Sequence, residues 1–148
     1  MSEKDKLLFN DFYVGQQLPS ITRTVTREDI EKYVTVVGET NAIYRDDEAA
    51  RRAGFEGVVA PPMMVKDYAH FTNVLLELEK PAPAHSIHAR SEYTYVKPAR
   101  PGDVMTTTGI IAEKYERKGR KYITFELTTV NQKGETIVVN RHTSVWPK

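Results

Sequence analysis

The spacing of apolar side chains changes from period two to a helical period and back again along the chain. Residues 20–25 alternate β-branched and polar side chains, which is typical of a strand with one buried face. Helical spacing then predicts a helix between Thr26 and Gly38. Its apolar positions are Ile30, Tyr33, Val34 and Val37. A second, short helix is predicted from its cap, Asp46, to Arg52.

A long helix is predicted to begin near Pro62 and to end at about Glu79. Its apolar stripe covers much of the circumference, which places this helix in the interior. The stripe consists of Met64, Tyr68, Phe71, Leu75 and Leu78. At the other end of the chain, residues 1–8 are mostly charged and aperiodic and are expected to be disordered, and residues 12–16 predict a short edge strand or turn.

Period-two alternation governs the rest of the chain and predicts four strands. They cover residues 88–96, 104–115, 121–130 and 136–146. Short turns at residues 98–103, 117–120 and 131–134 connect them, so the strands are expected to pair antiparallel. The whole pattern predicts a single α+β domain over residues 1–148, in which a curved antiparallel sheet is wrapped around the long central helix. Such an open sheet leaves backbone groups unpaired at its edges, so we expect a dimer or a higher assembly.

Composition narrows the class of protein. The 148 residues carry 21 Lys+Arg and 20 Asp+Glu, a formal charge of +1, so neither nucleic acid nor a membrane surface is an expected partner. The chain has no cysteine, which excludes disulfides, Cys-ligated metals and thiol nucleophiles. The first residues lack the apolar core of a signal peptide, and a cytoplasmic protein is expected.

Several short motifs follow one another in a characteristic order and spacing. They are residues 38–46 (GETNAIYRD), 49–55 (AARRAGF), 58–62 (VVAPP), 87–98 (IHARSEYTYVKP) and 100–103 (RPGD). No single motif is specific, but the ordered set is hard to obtain by chance. Over nearly its whole length the chain thus resembles the MaoC-like dehydratase/hydratase family, which implies the hot-dog fold and hydro-lyase chemistry on acyl thioesters of fatty acid metabolism.

The resemblance assigns a candidate catalytic loop. In the family this loop looks like Gly-Asp-x-Asn-Pro-x-His-x-Asp, whose Asp and His hold and activate the water that adds to an enoyl thioester. Here Glu39 stands at the Asp position, Tyr44 at the His position and Ala42 at the Pro position. Three positions match the pattern: Gly38, Asn41 and Asp46.

A second departure concerns the start of the central helix. Active members often have His-Gly there, whereas this chain has Ala60-Pro61-Pro62. That version resembles the non-catalytic, N-terminal type of MaoC-like domain, which implies an acyl-binding subunit that works with a second MaoC-like subunit. The resemblance implies substrate-binding roles for Asn41, Pro62, Met63 and Met64, and no cofactor apart from the coenzyme A or phosphopantetheine of the substrate.

The chemistry of the two candidate catalytic residues leaves three functions open. Glu39 can act as a general base if burial raises its pKa, but a solvent-facing Glu just beyond a helix end is the ordinary alternative. Tyr44, with an unperturbed pKa of about 10, is a poor acid or base near neutrality. The first hypothesis is a subunit with degenerate catalytic residues, the second a self-sufficient homodimeric hydratase using Glu39, and the third an acyl-thioester-binding or thioesterase-like protein.

The remaining polar residues do not predict a further site. Of the four histidines only His85 and His88 are three residues apart, and they lie beyond the end of the long helix, where His88 begins a predicted strand, so no metal pair on a helix is predicted. His70 and His88 are interpreted as ordinary polar or core residues, and Arg141 and Thr143 as the inward candidates that flank His142. Several basic residues could meet the phosphates of coenzyme A or form a solvated face: Arg51, Arg52, Lys97 and Arg100.

Overall fold

The structure is a computed structural model that describes residues 6–83 and 85–147. In these residues it contains five strands, β1 (Gln17–Thr24), β2 (Ile87–Tyr95), β3 (Val104–Arg117), β4 (Arg120–Val130) and β5 (Thr136–Trp146). The helices are α1 (Arg27–Val36), α2 (Asp47–Arg52), α3 (Pro62–Tyr68) and α4 (Phe71–Leu75), with 3-10 turns at Phe9–Asp11 and Ala42–Tyr44. All four strands predicted after the helices are present.

The strands form one antiparallel sheet in the order β1-β3-β4-β5-β2. This confirms the predicted α+β class and the antiparallel pairing. The register shifts in each of the four ladders, for example between His88 and Arg90 in β2 and between Ile111 and Glu113 in β3. Such bulges bend strands and increase their twist, which gives the sheet its curvature.

Two apolar clusters fill the space between the helices and the inner face of the sheet. The first surrounds α4 and contains Phe12, Phe71, Phe125 and Trp146. The second surrounds α1 and α3 and contains, among others, Ile30, Val34, Val65, Met105 and Val138. The break between α3 and α4 lies where the chain passes from one cluster to the other.

The prediction of one continuous helix from Pro62 to Glu79 is wrong. Helix α3 ends at Tyr68, and His70 has the extended backbone angles φ −80° and ψ 133° before α4 begins. Helix α4 in turn ends at Leu75. The apolar stripe is real, but it belongs to two short helices that meet at an angle in the chain.

Side chains from elsewhere in the protein explain this break. Three consecutive carbonyl groups at the end of α3 accept hydrogen bonds from side chains instead of from the next helical turn. The donors are Asn73 Nδ2 to Asp67 O (2.7 Å), Thr107 Oγ1 to Tyr68 O (3.2 Å) and Asn140 Nδ2 to Ala69 O (3.0 Å). Two of these donors come from β3 and β5, so the spacing of apolar residues within the helix could not indicate them.

The N-terminal segment is more ordered than its composition predicts. Of the segment 1–8 that was expected to be disordered, residues 1–5 lie outside the described residues. Leu7 is buried, its N–H donates to the Pro81 carbonyl at 3.0 Å, and its own carbonyl accepts from Trp146 Nε1 at 3.0 Å. The Trp146 indole therefore holds Leu7 in place, and the composition of the N-terminal segment could not predict this contact. In the part of the chain that the structure describes, no helix has the length and apolar character needed to cross a membrane.

Replacing Asn140 tests the cause of the helix break. Asn140 is fully buried, so Asn140→Ala leaves the Ala69 carbonyl without its donor and should lower the free energy of unfolding by about 1–3 kcal/mol. Asn73→Ala is the matched control, because its half-exposed position allows water to replace the lost donor. Urea unfolding measures both; equal losses would show that the Asn140 contact has no special role.

The edges of the sheet predict self-association. Strands β1 and β2 each have one side without a partner strand, and Ile87 and Tyr95 of β2 are exposed apolar side chains. Light scattering at micromolar concentration should therefore give at least twice the monomer mass of 16.9 kDa. A monomer mass would contradict the prediction.

Candidate functional site

The loop after α1 is closed by the side chain of Glu39. Gly38, with φ +69°, ends the helix, and the Glu39 N–H donates to the Val34 carbonyl at 2.9 Å. The Glu39 Oε1 atom accepts hydrogen bonds from the backbone N–H groups of Thr40 and Asn41, both at 2.9 Å. One carboxylate oxygen of this half-buried residue therefore holds the geometry of its own loop.

Asn41 has a local structural role as well. Its Oδ1 accepts from the Ile43 N–H at 3.2 Å and so caps the 3-10 turn Ala42–Tyr44. The side chain is exposed, and it belongs to the turn that carries Tyr44 towards the core. The match of Asn41 to the family pattern is thus explained by loop geometry.

Tyr44 is half-buried against the cluster around α3. Burial raises the pKa of its phenol, and the nearby negative charge of Glu39 raises this pKa further. Tyr44 is therefore a neutral hydrogen-bonding group at neutral pH. It cannot readily exchange a proton there, as a histidine at the same position could.

An apolar cavity of about 260 Å³ opens beside Tyr44. Its walls come from three parts of the chain and are formed by Ile43, Tyr44, Phe55, Val59, Ala60, Pro62, Val65 and residues 95–99. Backbone hydrogen bonds fix the wall segments, because the Val59 N–H donates to the Ile43 carbonyl (3.4 Å) and the Ala60 N–H to the Ala99 carbonyl (2.8 Å). The cavity can hold a small apolar group.

The structure brings only part of the predicted site to this cavity. Tyr44 and Pro62 line it, whereas Glu39 and Asn41 lie in the adjoining loop. Of the two methionines, Met63 is 56% exposed and does not line the cavity, and Met64 is 5% exposed and packs in the core. Successive residues of a helix point in different directions, so Met63 and Met64 do not share the wall to which Pro62 belongs.

A second, polar hollow of about 400 Å³ adjoins the apolar cavity and shares Phe55, Lys97 and Pro98 with it. Two of the basic residues considered for phosphate binding lie here, and both are ion-paired: Lys97 with Glu135 and Arg100 with Glu56. Each ion pair lowers the pKa of its carboxyl group. An anionic ligand would compete with these carboxylates for Lys97 and Arg100.

Sequence reasoning missed a cluster of three histidines. His70, His88 and His142 lie together at the break between α3 and α4, and His142 is only 1% exposed. The expectation that Arg141 and Thr143 point inward is wrong, because β5 buries His142 and Ser144 while Arg141 pairs with Glu126. The alternation of β5 could have shown that His142 points inward, because steps of two from the apolar Trp146 lead to Ser144 and His142.

No metal centre emerges from residues 6–83 and 85–147, since no three His, Asp or Glu side chains in them are arranged to hold an ion. The chemistry available at the site is that of a neutral phenol, a carboxylate bound to its own loop, and an apolar cavity.

The strand order and the helical segment on one face of the sheet define a hot-dog protein, and comparison with solved structures confirms this class. The MaoC-like dehydratase from Rhodospirillum rubrum superposes with a TM-score of 0.79 at 23% identity, over 96% of this chain and 98% of the other. The (R)-hydratase PhaJ1 from Pseudomonas aeruginosa superposes with a TM-score of 0.76 at 18% sequence identity, over 97% of this chain and 87% of the other. The HadBC (3R-hydroxyacyl-ACP dehydratase) complex from Mycobacterium tuberculosis superposes with a TM-score of 0.76 at 21% sequence identity, over 89% of this chain and 96% of the other.

The sequence defines the family. Residues 13–140 match the family model "FAS1-like, dehydratase domain region", so the chain belongs to this dehydratase family. A UPF0336 protein from Clavibacter michiganensis is 30% identical over 128 residues, which is 84% of this chain and 86% of that protein. A shorter match, 43% over 53 residues, covers 35% of this chain and 17% of the 3-oxo-4,17-pregnadiene-20-carboxyl-CoA hydratase alpha subunit from Mycobacterium tuberculosis.

The structural role of Glu39 can be tested separately from any activity. Glu39→Ala removes the acceptor for two backbone N–H groups and should lower the free energy of unfolding by about 1–2 kcal/mol. Hydrogen exchange at Thr40 and Asn41 should accelerate in the same variant. Glu39→Gln keeps an acceptor oxygen and should preserve the protection of both amides; loss of protection in this control would mean that the negative charge, and not the acceptor, closes the loop.

Proposed function

We propose that this protein is the acyl-thioester-binding subunit of an enoyl-thioester hydratase/3-hydroxyacyl dehydratase, and that a second MaoC-like subunit supplies the catalytic acid and base. The observation that carries the proposal is the state of the two candidate catalytic positions. One carboxylate oxygen of Glu39 accepts hydrogen bonds from the backbone N–H groups of Thr40 and Asn41. Tyr44 is a phenol whose raised pKa keeps it neutral.

The reaction demands more than these two groups offer. Addition of water to an enoyl thioester needs a base for the water, an acid for the α-carbon and a donor for the thioester oxyanion. Loss of a positioned acid or base typically costs about 10²- to 10⁴-fold in rate. Glu39 also lies one methylene further from its backbone than an Asp would, and a misplacement of about 1 Å can cost on the order of a hundredfold.

The apolar cavity is the proposed site for the acyl group. Its lining is apolar apart from Tyr44, Tyr95 and Lys97, which is the composition expected for a small-molecule pocket with a few orienting polar groups. Tyr44 can donate a hydrogen bond there without giving up a proton. Addition and removal of water move only a hydroxide and a proton, so the proposal requires no cofactor beyond the coenzyme A or phosphopantetheine of the substrate.

The comparisons support a partner subunit. The HadBC dehydratase is a complex, and the mycobacterial hydratase relative is named as an alpha subunit. Tyr95 lines the cavity and belongs to β2, which has one side without a partner strand among the described residues. A partner subunit on this edge would therefore lie next to the cavity.

One observation favours a second candidate, a homomeric hydratase that uses Glu39. Only Oε1 of the carboxylate takes part in the two loop hydrogen bonds, and a carboxylate can accept about four, so Oε2 is available to a water molecule. The negative charge of Glu39 also raises the pKa of the Tyr44 phenol, so the two groups share one electrostatic environment.

Enzyme assays with crotonyl-CoA separate these candidates. The purified chain alone should bind crotonyl-CoA by calorimetry yet consume it slowly, as followed by loss of the conjugated enoyl-thioester absorbance. Glu39→Gln and Tyr44→Phe should leave this low rate unchanged within about twofold, since neither residue would carry the chemistry. Addition of a MaoC-like subunit that retains Asp and His should raise the rate by about 10²-fold or more.

Two controls make the result decisive. Tyr95→Ala removes one wall of the cavity and should weaken binding, whereas Tyr13→Ala changes an exposed tyrosine outside the cavity and should not. Brisk turnover by the chain alone that collapses in Glu39→Gln would replace the first proposal by the second. Release of free thiol would instead indicate a thioesterase.

A further inference from the structure

Three of the four histidines meet at one point of the fold, outside the cavity described above. The ring of His142 stacks on Phe71 at 3.7 Å between centroids and on His88 at 4.6 Å. The ring of His70 lies 5.9 Å from that of His142. His142 is 1% exposed, whereas His88 lies on the surface. A buried imidazole is therefore stacked directly on an exposed one.

Serine hydroxyls connect these rings into one hydrogen-bonded chain. Ser91 Oγ lies 2.9 Å from His88 Nε2 and 2.9 Å from His142 Nδ1, and Ser144 Oγ lies 2.9 Å from His142 Nε2. A neutral imidazole has one donor and one acceptor nitrogen, and a hydroxyl can donate one bond while accepting another. The chain is thus fully satisfied when His142 is neutral.

The cluster joins three elements that are separate in sequence. Ser91 of β2 faces His142 of β5 in the ladder, and the bulge between His88 and Arg90 turns His88 to the same side. Phe71 is the first residue of α4, and His70 caps this helix through its Nδ1. Because β2 is an edge strand of the described sheet, it pairs with β5 alone.

We propose that the cluster of His70, His88, Ser91 and His142 is an acid-sensitive joint, which loosens the attachment of β2 and α4 to the sheet as the pH falls below neutrality. An opening of β2 or α4 exposes His142 to water and allows it to take up a proton that the closed state excludes. The inference is independent of the proposed function and concerns any partner that uses the β2 edge.

The surroundings explain why the closed state excludes this proton. Burial lowers the pKa of His142 to about 3, and the neighbouring His88 and His70 contribute to the shift. Burial also lowers the pKa of His70, with Lys66 adding to the shift and Asp67 opposing it. Among the described residues no carboxylate compensates a charge on His142, and within the cluster each added proton repels the next.

The other groups packed nearby do not offset this effect. Tyr93 of β2 is a phenol whose pKa burial raises, so it stays neutral. Phe125, the ladder partner of His142 on β4, is apolar. Arg141 precedes His142 but points to the opposite face of the sheet, where it pairs with Glu113 at 2.9 Å and Glu126 at 2.6 Å.

The sign and size of the effect follow from proton linkage. The opened state, with an ordinary histidine pKa of about 6.5, binds more protons than the closed state at every pH between about 6.5 and the pKa of about 3 in the closed state. The closed state is therefore fully favoured above about pH 6.5 and loses stability as the pH falls. The opening equilibrium constant should rise by about tenfold per pH unit in this window.

Hydrogen exchange of the full-length protein in its own assembly state tests the joint. The pH is lowered in steps of about one unit from neutrality, and rates are corrected for intrinsic exchange. Amides of β2 and α4 should lose protection by about tenfold per unit, while those of the β3–β4 hairpin keep theirs. Parallel loss in the hairpin would indicate global unfolding and would overturn the proposal.

Two histidine variants provide a matched comparison. His142→Gln keeps a donor and an acceptor but cannot titrate, so the pH dependence of its β2 and α4 protection should fall well below that of the wild type, leaving only the part that His70 contributes. His85→Gln removes the histidine outside the cluster and should behave like the wild type. An equal pH response in wild type and His142→Gln would overturn the proposal.

Should His142→Gln fail to fold, an NMR titration of the His142 ring in the wild-type protein decides. His142 should stay neutral at about pH 5, and protonation near its ordinary pKa of about 6.5 would refute the joint.

Discussion

The hydrogen bond from Asn140 to the Ala69 carbonyl ties the middle of the central helical segment to the inner face of the sheet. It is one of three side-chain bonds that replace the next turn of helix, and the others come from Asn73 and Thr107. Because the helix stops here, α3 and α4 are separate helices that pack in different apolar clusters. Helix α3 contributes Pro62 and Val65 to the lining of the cavity, and helix α4 packs in the core around Phe71.

This division separates the molecule into a functional half and a supporting half. Pro62 and Val65 of α3 form part of the apolar cavity, whereas Phe71 of α4 packs with Phe125 and with His142. The buried polar groups at the break, including Asn140 and His142, lie between the two halves. Such groups are costly unless they are paired, so they fix the position of the break more sharply than apolar contacts would.

The candidate catalytic loop shows a similar use of polar groups for structure. A carboxylate that could serve as a base instead accepts the N–H groups of Thr40 and Asn41, and an amide that could touch substrate caps a 3-10 turn. The loop is thereby rigid in a conformation that presents Tyr44 to the cavity. Side chains that could take part in chemistry therefore hold the loop together, while Tyr44 lines the apolar cavity.

Local sequence signals determined the parts of this protein whose causes are local. Thr26 caps α1 by accepting a hydrogen bond from the Asp29 N–H, and Gly38 ends that helix. Asp46 caps α2 in the same way. The strands lie where the period-two alternation of side chains predicts them. The order of motifs also indicated the family and the loop that contains Glu39 and Tyr44. These features depend on residues within a few positions of one another.

Only the tertiary structure decided the remaining features, because their causes lie far apart in the chain. The break at Ala69 depends on donors from β3 and β5, and the cavity combines Tyr44 with residues 95–99. The order of Leu7 depends on Trp146 at the other end of the chain. The histidine cluster unites α4, β2 and β5, and the bulge in β2 that brings His88 to the side of His142 is not visible in the spacing of residues.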